Sequence, residues 1–219
     1  MELLSVRTAR VLAFFPTGEI NPRGRSLIHE VVPAFVERYK FVKYPQKFEE
    51  FDESKGVRFE GGVWNNLETT VVLYNNGIQV DARSSTDDSE LILEDALKWA
   101  ADTFGLIYKP AMLTRKAYLS ELDVACETPL DALNPKLNAF VDKLSKTVGQ
   151  WTGHTFDFKT VAFWLNFDTA FNKGPAGPMR IERLVDVPFS ENKYYASAPL
   201  PTKTHLEFLE EFESILKAQ

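Results

Sequence analysis

Residues 69–105 read TTVVLYNNGIQVDARSSTDDSELILEDALKWAADTFG. Two β-forming runs, Thr69 to Tyr74 and Ile78 to Arg83, flank Asn75-Asn76-Gly77. Asn-Gly supplies the positive φ angles of a tight turn, so the stretch opens as a β-hairpin. Ser84 to Ser89 is rich in residues that cap helices. Leu91, Ile92, Leu93, Ala96, Leu97, Ala100 and Phe104 then recur at helical spacing, and Gly105 is a natural stop. Antiparallel strands followed by amphipathic helices define an α+β chain.

The flanking sequence extends this pattern. Upstream, Ser5 to Phe15 reads as a strand and Pro16 to Ser26 as a loop. Leu27 to Tyr39 has helical spacing, with Pro33 inside it as a kink or a break. Phe41 to Tyr44 reads as a short strand, and Val57 to Trp64 as a strand with a bulge at Gly61-Gly62. Downstream, Tyr118 to Cys126 reads as a strand that puts Tyr118, Ser120, Leu122, Val124 and Cys126 on one face. Asn134-Pro135 opens a helix carrying Leu137, Phe140, Val141, Leu144 and Val148, closed by Gly149. Strands are expected at Phe156 to Phe167, Met179 to Val187 and Lys193 to Ser197. Thr202 leads a last helix with Leu206, Leu209, Phe212 and Leu216 on one face.

The two halves, 1–108 and 109–219, share one order of elements. Asn21-Pro22 and Asn134-Pro135 lie 113 residues apart, and Thr86 and Thr202 lie 116 apart. Leu93 and Ala96 then match Leu209 and Phe212. The unit is β-α-β(3–4)-α, and its repetition is similar to TATA-binding-protein-like folds. That resemblance implies one curved antiparallel sheet with four helices on one face, in a single pseudo-symmetric domain. It rests on topology and has no specific motif, so it carries no function across.

Composition narrows the function. The chain has 25 basic and 31 acidic residues, a net charge of −6. An overall basic footprint for nucleic acid is therefore absent. Cys126 is the only cysteine, so no internal disulfide forms, which fits a reducing compartment. The longest apolar runs, Val11 to Phe15 and Val161 to Leu165, are five residues each, against about 20 for a membrane span. A secretory signal is not expected, and the reading is a cytoplasmic protein. Phosphate-loop, dinucleotide, zinc-protease, hydrolase-elbow and EF-hand signatures are missing, so no catalytic residue, metal or cofactor is assigned.

Two sets of residues stand out. Arg23, Arg25 and Ser26 lie at the expected start of the first helix, with His29 one turn on. Free N–H groups and guanidinium groups there suit a small anionic ligand bearing phosphate or carboxylate. Phe163, Trp164, Phe167 and Phe171 form an aromatic run in the second half. Alternation puts Phe163 and Phe167 on one side of a strand and Trp164 on the other. The expected function is a non-catalytic binding or assembly protein with a protein partner or a second copy. The alternative is a domain or enzyme acting on an anionic compound. His29, His154 and His205 are the only histidines; His205, in the first turn of the last helix, is expected to be exposed or capping.

Overall fold

Alternation in the first strand sets the sheet's two faces. In β1 (Glu2–Phe14), Ala9, Val11 and Ala13 are buried while the residues between them are only half-buried. The computed structural model describes residues 1–15, 20–21, 28–113, 115–167 and 177–218. After β1 come α1 (Ile28–Tyr39), β2 (Val57–Trp64), β3 (Leu67–Tyr74), β4 (Gly77–Ala82) and α2 (Thr86–Phe104). The second half follows with β5 (Arg115–Ala125), α3 (Asn138–Thr152), β6 (Ala162–Leu165), β7 (Met179–Arg183), β8 (Lys193–Ala198) and α4 (Thr202–Lys217). The strands make one antiparallel sheet in the order β2-β3-β4-β1-β5-β8-β7-β6. The chain is α+β, and its strand order reads the same outward from either side of the β1–β5 seam.

Several local expectations change. The β3–β4 hairpin forms, with Tyr74 paired to Gly77, but none of Asn75, Asn76 and Gly77 has a positive φ. Gly77 is needed for space: a Cβ there would lie 2.3 Å from the Ala13 carbonyl oxygen of β1. The left-handed pair is Asn65-Asn66, φ 46° and 65°, between β2 and β3, as a twist-matched two-residue turn requires. α1 is not split at Pro33. Phe41 to Tyr44 contributes one isolated bridge, Lys43 to Glu60, rather than a strand. α3 runs past Gly149 to Thr152, where Gly153 (φ 73°) closes it. β6 has four residues, not twelve, because only Ala162 to Leu165 find partners on β7.

Two cores lie under the helices. In the first, α1 and α2 cover β1 to β4; the Phe35 ring centre lies 4.9–5.7 Å from those of Tyr39, Phe41, Phe59 and Trp99. In the second, α4 packs Leu209, Phe212 and Leu216 against Leu122, Val124, Ile181 and Ala196. α3 takes no part: none of its residues is buried.

The seam between the halves is polar and buried. The backbone N–H of Thr86 donates to Thr202 Oγ1 (3.1 Å), and the N–H of Thr202 donates to Thr86 Oγ1 (2.9 Å). Each helix start thus caps the other, satisfying N–H groups that a helix leaves free. Ser89 Oγ, in the first turn of α2, donates to the Ala9 carbonyl (2.7 Å), and Ala9 pairs with Ser120 across the seam. His205 is fully buried rather than exposed. Its two ring nitrogens and Ser120 Oγ have no hydrogen-bond partner among the described residues. Burial pushes the His205 imidazole down to about 4.

Thr86→Val and Thr202→Val are each expected to lower unfolding free energy by about 1–2 kcal/mol at unchanged m-value, measured by urea titration. His205 generates a second expectation. Its folded pKa is depressed, so the unfolded chain binds its proton first. The stability it permits is complete above pH 6.5 and falls as pH drops toward 4, by on the order of 3 kcal/mol. The difference in unfolding free energy between wild type and His205→Leu should track that window. A pH-independent difference would show that His205 does not remain neutral.

Candidate interaction surface

Arg23, Arg25 and Ser26 lie outside the described residues, as do the side chain of His29 on α1 and the whole of Phe171. The aromatic run divides as alternation requires. Phe163 faces the second core, its ring centre 5.0 Å from that of Phe212. Trp164 points the other way and is 58% exposed, with the Arg180 guanidinium 6.0 Å over its ring. Phe167 is half-buried beyond the end of β6.

A larger apolar surface was not anticipated from the sequence. Leu137 and, on α3, Phe140, Leu144 and Trp151 recur at steps of three, four and seven, one stripe along the helix. All four are exposed, Phe140 by 65% and Trp151 by 85%. The chain after α3 folds back along its other side: Phe158 N–H donates to Ser145 Oγ (3.2 Å) and Thr160 N–H to Asp131 Oδ1 (2.8 Å). Leu165 of β6 is also exposed. On α4, Phe208 and Ile215 are each 48% exposed on a stripe distinct from the core-facing one. Burying a side chain of this size contributes about 1.5–3 kcal/mol, so the second half carries much unrealised hydrophobic free energy. The signal was present as helical periodicity, but periodicity marks an apolar face without saying whether anything covers it.

The sheet face opposite the helices is different in kind. Arg10 makes a two-pronged pair with Asp81 (2.7 Å each). Arg7 binds Asp123 (2.8 Å). Arg180 donates to Tyr195 (3.2 Å), which in turn donates to Glu121 (2.5 Å). Burial, then the bond to Glu121, raises the Tyr195 phenol. Arg58 pairs with Glu60, and Arg83 with Glu68. The arginines around the polar hollow at Thr8 and Thr70, about 220 Å³, are therefore each matched by a carboxylate. Among the described residues such a face lacks the row of unpaired cations that reads phosphates.

Other reactive groups are quiet. Burial, reinforced by Glu213, pushes the Cys126 thiol up to about 11, so it is not a nucleophile at neutral pH. Glu213 resists its own desolvation through bonds from the Met1 ammonium, the Glu127 N–H and Cys126, which bring it down to about 2. Ser85 caps α2, accepting from the Asp88 N–H and donating to the Asp88 carboxylate, whereas Glu90 turns to Lys116 and Tyr118 of β5. Among the described residues no group of three or more His, Cys, Asp or Glu side chains converges. No helix among them is long and apolar enough to cross a membrane. The chain matches no protein-family model, and no curated protein matches it significantly.

Phe163 and Trp164 are neighbours with opposite roles. Phe163→Ala is expected to cost about 2–3 kcal/mol of stability, while Trp164→Ala stays within about 0.5 kcal/mol. Chemical denaturation of both variants checks this, and equal losses would mean that Trp164 is a core residue.

Proposed function

We propose that this chain is a non-catalytic binding or assembly protein that recognises a protein partner through the second-half surface centred on α3. The observation that carries the reading is the α3 stripe of Phe140, Leu144 and Trp151, exposed on a helix none of whose residues is fully buried. Contiguous exposed apolar surface of this kind marks interaction sites, and aromatic residues dominate binding energy where they are buried at an interface. The paired charges of the sheet face argue against nucleic acid as the partner. The buried, unreactive Cys126 accords with a reducing, cytoplasmic setting.

The same reading treats the halves as two copies of a β-α-β-β-β-α unit, arranged as in TATA-binding-protein-like folds. The palindromic strand order supports this. So does register: Ala9 pairs with Ala82 in one half, and Ser120 with Ala198 in the other. Ala82 and Ala198 then precede Thr86 and Thr202 by the same four residues. Under this reading one copy keeps its core closed and the other presents its first helix for binding.

Native mass spectrometry and sedimentation on the gently purified protein test the function. A stoichiometric complex is expected, and it should dissociate in Phe140→Asp and in Trp151→Asp while the melting temperature of the chain itself is unchanged. A bare monomer whose behaviour ignores both substitutions would overturn the reading.

A further inference from the structure

We propose that the partner covering this surface is a second copy of the chain, with α3 of each copy lying on α4 of the other. The proposal rests on the binding reading above and names its occupant. It starts from the first half, where the equivalent faces are already closed. On α2, Ile92, Asp95 and Trp99 form a stripe. α1 covers it: Arg38 binds Asp95 (2.7 Å), Tyr39 OH donates to Asp95 (2.5 Å), and the Phe35 ring stacks on Trp99 at 5.7 Å. Ile92 is completely buried.

The offset of 116 residues that relates Thr86 to Thr202 carries this stripe to Phe208, Glu211 and Ile215 of α4. The chemistry is the same: apolar, acidic, apolar. Here, however, all three are exposed. The helix that takes α1's place in the order of elements is α3, and its own apolar stripe is exposed as well. The two faces are complementary in charge. Lys143 borders the α3 stripe, and Glu207 and Glu211 border Phe208 on α4; all three are exposed.

One chain does not bring these faces together. α3 is rooted through Leu130, buried in the second core, and is held by the bonds from Phe158 and Thr160. Two copies related by a two-fold axis satisfy both faces at once, because each gives one helix and receives one. The contact is reciprocal and closed, so it ends at a dimer. Salt bridges from Lys143 to Glu207 or Glu211 would set the helix direction and register.

The test uses the full chain with Thr152→Cys and Glu211→Cys, the positions that answer to Tyr39 and Asp95. The two single variants are refolded together from urea and treated with a short bis-maleimide; native Cys126 is buried and stays unlabelled. The expected results are a wild type that sediments as a dimer and a cross-linked species of twice the chain mass from the mixture. Phe208→Asp should weaken the dimer at least about 30-fold without lowering the melting temperature of the monomer. Three results would overturn the proposal. If the double variant cross-links within a monomer, α3 covers its own α4, and the binding reading fails with the proposal. A monomer that does not cross-link leaves the surface open to a different protein, so the proposal fails alone. A dimer without the cross-link places the interface elsewhere.

Discussion

The antiparallel pairing of β1 with β5 is the joint on which the molecule depends. Eleven residue pairs, from Glu2–Ala125 to Phe14–Arg115, turn two four-stranded sheets into one of eight strands. The pairing also removes the edge that each half would otherwise expose at β1 or β5, so that among the described residues β2 and β6 end the sheet. Hydrogen bonding alone leaves the helices free to slide over the seam. The reciprocal Thr86–Thr202 bonds prevent this by making each helix start the cap of the other. Because these N–H groups are buried, losing either hydroxyl strands a donor that water cannot reach. The sheet joint and the helix joint therefore reinforce each other.

Much of this architecture was legible in the residues. The β3–β4 hairpin, α2 with its Gly105 stop, the buried face of β5 and the core stripe of α4 all follow from local patterns that tertiary structure did not overrule. Elsewhere a distant partner decides the local structure. Phe156 to Thr160 was expected to begin a long strand, yet it packs along α3 because the register with β7 runs only from Ala162 to Leu165. His205 looks like a solvent-facing residue at a helix start, but the proximity of α2 seals that end. Gly77 is explained by the Ala13 carbonyl on β1, far earlier in the chain, and not by its own turn.

The candidate surface was legible in part for a similar reason. Alternation on one strand is enough to separate Trp164 from Phe163. The stripe of α3 was equally visible, but amphipathicity reports only that a helix has an apolar side. In α1 that side meets α2 and is buried. In α3 the stripe of Phe140, Leu144 and Trp151 stays exposed. The difference lies in the chain that follows each helix: residues 153–161 turn back along α3, whereas Phe41 after α1 joins the first core and draws the helix down onto it.

This asymmetry separates the roles of the halves. A helix whose apolar face is left bare costs stability, since the surface stays in water and the ordered backbone receives no packing in return. The first half offsets that cost with an aromatic cluster centred on Phe35 and with the Arg38–Asp95 pair. The second half has a smaller core and depends on the seam to hold α4 in place. Association through α3 would recover the missing burial at the point where the fold is weakest, so binding and stability are coupled in this half. The charge-paired face of the sheet gains nothing of the kind from a partner, because Arg7, Arg10, Arg58 and Arg83 already have carboxylates. Hydrophobic free energy therefore directs association to the helix side of the second half and leaves the sheet face in water.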